Sequence, residues 1–429
     1  MKPRVLFPTF TLMVLGLAGT ACAESLTLAQ ARETALRMHP SITVAELRAL
    51  VARQADTEAR AGYFPQVSAN ATAVGTGEAV TRVAAGSLSN SQIYDHIGAG
   101  VAISQLITDF GRTSSLADAA RSRMRAADAN VQAARAQLLL AVDAAYFSAL
   151  EARAVQAVAA KTLASRQLLY ERISALARNN LKSELDTRFA QVGVSEARLL
   201  VDQAESDWQS ALATLTNLLG QRAVITADLV EEPALATPLP ANSEPLTGLA
   251  LQQRPELLRE RAERDASRNV AKAARDSRLP TVSALGTAGV VPTHDEHFEH
   301  DYAAVGVNVN LPLFTGGLYR ARQREAELQA DDAEASLQQA EGNLVRDVRL
   351  AWLEAAHAQE RIGLTAGLLE NSSAALDLAH VRFEQGLSSI VELNQAELAQ
   401  VSAEIAHTNA QYDYRLRRDL LDYQTGSLR

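Results

Sequence analysis

The sequence predicts a mainly α-helical chain with a membrane β segment, built as a duplicated unit of one strand pair followed by one long helical hairpin. Three observations carry this reading. The pattern of glycines, prolines and apolar residues is written twice, each copy holds two short stretches of alternating polarity, and each copy then continues to its end without a proline.

The chain opens with Lys2 and Arg4, continues through an apolar stretch from Val5 to Ala18, and reaches Ala21-Cys22-Ala23. That order predicts an export signal over residues 1–23, cleaved after Ala23. The alternative is lipoprotein processing with Cys22 acylated, against which Gly19 stands where a lipobox usually carries a leucine-like residue. Removing Lys2 and Arg4 changes the charge balance from 41 − 50 = −9 to 39 − 50 = −11, which argues against nucleic acid as a partner. Cys22 is the only cysteine, so the cleaved chain has no thiol, which suits an oxidising compartment. Beyond the leader no run approaches the roughly 20 apolar residues of a spanning helix. Any membrane-crossing part must therefore be made of strands.

The duplication has a fixed register. Gly111/Gly317 and Gly220/Gly426 are both separated by 206 positions (317 − 111 = 426 − 220). Between them Ala134/Ala340, Leu138/Leu344, Val142/Val348 and Ala145/Ala351 agree, and their steps of four, four and three place them on one helix face. Upstream the offset is 215, pairing His39-Pro40 with Arg254-Pro255 and Phe64-Pro65 with Leu279-Pro280. The difference falls between the strands, where loops vary. Residues 24–220 and 246–429 are thus the two copies, and residues 221–245, with Pro233, Pro238, Pro240 and Pro245, read as the linker.

Each copy is predicted to begin with helices over Leu28 to Met38 and Ser41 to Ala61, or Leu246 to Gln253 and Glu256 to Arg278, with Pro65 and Pro280 stopping the longer ones. The period then changes to two. Val67, Ala69, Ala71 and Ala73 alternate with Ser68, Asn70 and Thr72, and Ile97 to Ile103 alternate with glycine and small residues. Strands are expected at about 66–76 and 93–107, then at about 281–291 and 302–314. After Gly111 or Gly317 a helix is expected to run to about Arg178 or Phe383, roughly 100 Å at 1.5 Å per residue. Tips at Asn179-Asn180 and Gly386 reverse the chain, giving hairpins at about 112–219 and 317–425 that end on Gly220 and Gly426. These helices are rich in alanine and lack one broad apolar face, a pattern that suits narrow seams on two sides. Four strands per chain fall short of the roughly eight a bacterial barrel needs, so several copies must contribute.

Motifs for chemistry are missing: G-x-x-x-x-G-K-S/T, H-E-x-x-H and G-x-S-x-G do not occur, so neither an enzyme nor a cofactor is expected. His294, His297 and His300 stand among Asp295, Glu296, Glu299 and Asp301. They are donors that suit zinc, nickel or copper, but they lie in a loop between strands, where a solvated acidic loop is the simpler reading.

The chain resembles the TolC-like outer-membrane efflux protein family over nearly its whole length. The matching segments are L-T-L-A-Q-A-R-E-T-A-L from Leu26, R-P-E-L at Arg254, Q-L-I-T-D-F-G-R at Gln105, L-P-L-F-T-G-G at Leu311 and R-F-E-Q-G-L-S-S-I-V-E-L-N-Q-A at Arg382. The resemblance implies a homotrimer whose 12-stranded β-barrel, set in outer-membrane lipid, stands on a periplasmic α-helical tunnel. It implies a passive exit duct of a tripartite efflux or type I secretion system, working with a periplasmic adaptor and an inner-membrane pump. It places an acidic gate ring on Glu392, with Gln395 where a second acid is usual and Asp186 as the first-copy equivalent of Glu392. Phe383 and Ser388 occupy the places of a gate tyrosine and arginine. Asn180, Leu181, Gly386, Leu387 and Ser388 fall at the tips where adaptors dock. The competing expectation is a periplasmic or surface coiled-coil structural protein without a pore, which shares the helical seams but gives no reason for duplicated strand pairs.

Overall fold

The computed structural model describes residues 25–75, 81–85, 89–93, 96–231, 238–294 and 299–428. The chain begins with β1 (Ser25–Leu26), α1 (Leu28–Met38) and α2 (Pro40–Ala61). Thr27 and Gln30 form a reciprocal cap on α1: Thr27 Oγ1 accepts from Gln30 N–H at 3.3 Å and Gln30 Oε1 accepts from Thr27 N–H at 2.9 Å. The first strand pair follows as β2 (Gln66–Val74) and β5 (His96–Thr108), with a small hairpin of β3 (Thr81–Ala85) and β4 (Ser89–Ile93) inserted between them. Then come α3 (Arg112–Arg178), α4 (Glu184–Leu218) and β6 (Asp228–Leu229). The second copy runs α5 (Glu244–Gln253), α6 (Pro255–Asp276), β7 (Thr281–His294), β8 (Asp301–Asn310), α7 (Leu318–Glu384) and α8 (Ile390–Thr425).

Proline acts differently from the sequence expectation. Pro40 and Pro255 are the first residues of α2 and α6 rather than lying before them, because a first-turn residue needs no N–H partner and proline presets its φ. Both helices end before the next proline is reached, at Ala61 and Asp276, with Gly62 and Ser277 as the capping residues.

The 67-residue helices α3 and α7 each start on a glycine in the left-handed region, Gly111 (φ 111°) and Gly317 (φ 86°), a conformation that strains most side-chain-bearing residues. They are about twice as long as their return helices, α4 and α8, with 35 and 36 residues. The remaining length is covered by α2 and α6. Near the sheet, Ala45 and Ala49 of α2 pack on Val131 of α3, and Leu257 of α6 packs with Leu337 and Leu344 of α7. Towards the tips, α3 packs on α4 and α8 instead. The wall therefore reads α2-α3-α6-α7 in one half and α4-α3-α8-α7 in the other.

Between the halves lies the largest core, with Leu138 and Tyr146 of α3 beside Leu215 and Leu219 at the end of α4. The parallel pair β1–β6 closes it: Tyr146 Oη lies 2.8 Å from Leu26 O and 2.6 Å from Val230 O. Inside the same layer Asp143, fully buried, receives both Arg32 Nε at 2.6 Å and Arg32 Nη2 at 2.7 Å. Three aspartates crowd this region. Burial raises the Asp143 carboxyl against the opposing pull of Arg32, and burial likewise raises Asp422. Asp419 is pushed up to about 7 by burial first and the Asp143 charge second, with Arg32 and Arg418 opposing.

Candidate functional site

The four long strands form one sheet in the order β2-β5-β7-β8, antiparallel throughout, so the two copies meet at β5–β7. Register decides what each face carries. Val67 pairs with Ile103, Ile103 with Gly286 and Gly286 with Val305, and Ala69, Val101, Ala288 and Ala303 make the adjacent row. One face is therefore apolar across all four strands, although in the single chain it is bare: Val305 is 92% exposed. The other face carries Gln66, Ser68, Asn70, Thr72, Ser104, Thr287 and Asn308 among glycines and alanines. Beyond the helical ends of the strands Tyr63, Phe64, Phe110 and Phe314 are all exposed. An apolar band bordered by aromatics is what a lipid-facing barrel wall requires, and the polar face then lines a lumen. Among the described residues no helix is long and apolar enough to cross a membrane. A periplasmic stalk would gain nothing from such a sheet.

At the other end both hairpins turn by the same device. Leu181 N–H donates to Leu176 O at 2.9 Å and Leu387 N–H donates to Arg382 O at 2.8 Å, closing each first helix through a left-handed residue, Asn180 (φ 58°) or Gly386 (φ 74°). Asparagine is among the few side-chain-bearing residues that accept this conformation. Each return helix is capped by serine: Ser183 Oγ accepts from Asp186 N–H at 3.1 Å, and Ser389 Oγ from Glu392 N–H at 3.3 Å. Leu181 and Leu387 project from the tips, 69% and 67% exposed.

The repeat-related acids differ in what they do. Asp186 turns back on its own cap, accepting from Ser183 N–H at 3.0 Å and from Ser183 Oγ–H at 2.8 Å. Glu392 instead faces Arg382, with Oε1 3.5 Å from Nε, in a half-exposed pair, while Gln395 is exposed. Phe383 is buried with Leu169 and Ile173 of α3, Ala190 of α4 and Ile390 and Leu393 of α8, and Lys182 Nζ lies 4.1 Å above its ring. Ser388 Oγ is buried without a hydrogen-bond partner among the described residues. The histidine loop is placed only in part: His300 is exposed, the backbone of His294 ends β7, and the His294 side chain, His297 and Cys22 lie outside the described residues.

A buried ionic node above the tips escaped the sequence reading. Arg166 of α3, 7% exposed, has Nη1 2.8 Å from Glu397 Oε2 and 2.7 Å from Asn394 Oδ1, both on α8. His380 Nε2 of α7 lies 3.8 Å from Glu397 Oε1. Burial raises the Glu397 carboxyl, with Arg166 and His380 opposing. Room for the guanidinium comes from Gly193 of α4, where an added Cβ would stand 2.9 Å from Arg166 Nη1. The one available signal was that glycine, isolated in a long helix and replaced in the second copy by Ala399.

Comparison with known proteins agrees with this geometry. The sequence profile described as outer membrane efflux protein matches residues 31–221 and 246–426, one match for each copy. The TolC outer membrane protein of Vibrio cholerae is 27% identical over 436 residues, covering 96% of this chain and 93% of its own. OprJ of Pseudomonas aeruginosa is 27% identical over 324 residues, covering 74% and 67%. Among solved structures, the outer-membrane channel OprN superposes with a TM-score of 0.82 at 23% identity, covering 93% of this chain and 90% of its own. VceC of Vibrio cholerae gives 0.81 at 22%, covering 93% and 96%. The chain belongs to the outer membrane efflux protein family.

Proposed function

We propose that three copies of this chain close one pore, forming the passive exit duct of a tripartite export system. The observation that carries this is the four-stranded sheet, apolar on one face, whose outer strands β2 and β8 each have a strand on one side only among the described residues. In lipid such edges leave backbone groups unsatisfied at several kcal/mol each, so the edges must pair. β2 of one copy against β8 of the next satisfies both, and three copies supply twelve strands.

The helical wall has matching open sides. On α4, Leu185, Phe189, Val192 and Leu199 make an exposed apolar stripe, and on α7, Leu364, Leu368 and Leu378 make another. Both stripes recur at helical spacing on the two wall edges that lack a neighbour within the chain. A head-to-tail contact that joins β2 to β8 also brings α4 to α7, and such a contact closes into a ring.

The chain carries no motif for nucleotide binding or catalysis, so transport work comes from an inner-membrane pump through a periplasmic adaptor. The adaptor docks at the tips through Asn180, Leu181, Gly386, Leu387 and Ser388. The gate is held by apolar packing around Phe383 and by the Arg166–Glu397 node, which ties α8 to α3. Glu392, supplied once by each copy, forms a ring of three carboxylates that draws cations to the mouth.

The test is made in cells lacking this gene. The chain, supplied in trans, restores export and is extracted from outer membranes by detergent as a particle of three protomers. A water-soluble monomer, or export unaffected by the deletion, contradicts the reading.

A further inference from the structure

One row across the lumen face of the sheet is unlike the others. Asn70, Gly100, Gly289 and Tyr302 stand side by side on β2, β5, β7 and β8, in register. The two central strands thus carry no side chain at this level, and the edge strand carries a large one. Tyr302 fills the gap. A Cβ built on Gly100 would overlap Tyr302 Oη, and one built on Gly289 would lie 2.5 Å from Tyr302 Oη and 2.6 Å from Cζ. The phenol therefore lies flat across two strands, in a trough that only glycine provides. On β7 the same face carries Thr287 and Leu285 at the next levels inward, each with a side chain that would lift the ring away from the wall.

We propose that Tyr302, seated over Gly100 and Gly289, sets the bore at the outer end of the lumen. The proposal rests on the barrel reading above. Flat against the wall, the ring narrows the exit by its own thickness alone. Raised by one methyl group beneath it, the ring would turn into the lumen, and in a closed ring it would do so once per protomer. Its place is at the outer end, because β8 begins at Asp301 after the loop opposite the helices, whereas Ser104 lies four residues further along β5 towards α3, roughly 13 Å deeper.

Ser104 on the lumen face gives a local readout that does not depend on the periplasmic gate. The oligomer carrying Ser104→Cys is treated from the extracellular side with a small and a bulky membrane-impermeant thiol reagent. Gly100→Ala is expected to abolish reaction with the bulky reagent and spare the small one. Tyr302→Ala alone is expected to speed the bulky reagent. Gly100→Ala combined with Tyr302→Ala is expected to restore it, because the methyl group then has no ring to lift. Since an alanine at 100 also crowds Ala288 O at 2.9 Å, the combined variant separates a raised ring from a distorted strand. Failure of Tyr302→Ala to rescue, or an unchanged bulky-reagent rate in Tyr302→Ala alone, overturns the proposal. If neither reagent reaches Ser104→Cys from outside in the otherwise native chain, it is the barrel reading that fails.

Discussion

Asp419 makes the stability of the central layer depend on pH in a calculable direction. Its carboxyl is buried near the Asp143 and Asp422 charges and is pushed from an ordinary 3.8 up to about 7. Because the folded pKa lies above the unfolded one, Asp419 favours the folded state fully only below pH 3.8 and loses that contribution as pH rises through about 7. The distance from 3.8 to about 7 sets a ceiling of about 4 kcal/mol, and roughly 3 kcal/mol of it falls between pH 5 and pH 8. Asp419→Asn removes the charge and keeps the shape. Guanidinium denaturation of the detergent-solubilised oligomer, followed by circular dichroism, should place variant and native chain closer together at pH 5 and the variant well ahead at pH 8. Asp143 and Asp422, also raised by burial, remain in the variant, so a smaller alkaline decline persists. A gap between the two chains that is the same at both pH values, or a variant weaker at pH 8, refutes the reasoning.

Other changes test the packing directly. Arg166→Met leaves Glu397 buried without its cation and should cost about 3–5 kcal/mol, with the tips more open to limited proteolysis; Arg166→Met with Glu397→Leu should recover most of that loss. Tyr146→Phe removes the hydroxyl that reaches Leu26 O and Val230 O and should lower stability by about 1–3 kcal/mol, with amide exchange rising first in the β1–β6 pair.

Much of this architecture was legible because it is periodic. Gly111/Gly317 and Gly220/Gly426 mark the same joints in each copy, the alternation of Val67 to Ala73 and of Ile97 to Ile103 makes one face apolar, and the proline-free runs admit only long helices. Elements held by distant contacts were not legible. The pair β1–β6 is two residues long on each side and depends on Tyr146, more than a hundred residues from Leu26. The β3–β4 hairpin lies in a stretch with no sustained alternation. The sequence pattern starts these helices at Ser41 and Glu256, one residue late, because proline's tolerance in a first helical turn depends on where the helix begins.

The site was legible to a different degree. Glycine and asparagine at the tips announced reversals, and the spacing of Asp186 and Glu392 announced equivalent places. Their different partners, a serine cap for one and Arg382 for the other, follow from side-chain length and from what the neighbouring turn offers. Glu397 reads in sequence like any solubilising helix acid. Only the fold brings it to Arg166, which stands 231 residues earlier. Tyr302 and its glycines needed strand register, which a single sequence leaves open.

The central claim, that copies of this chain enclose a continuous gated duct, is tested most directly by single-channel conductance of the purified oligomer in planar bilayers. Glu392→Ala is compared with the native chain, and divalent cations are added on the helical side. The account predicts a stable conductance that favours cations and is reduced by divalent ions, with both effects weakened in Glu392→Ala, whose loss of a half-exposed ion pair should leave stability within about 1 kcal/mol of native. Absence of conductance from a membrane-inserted oligomer, even with its adaptor present, would contradict the account.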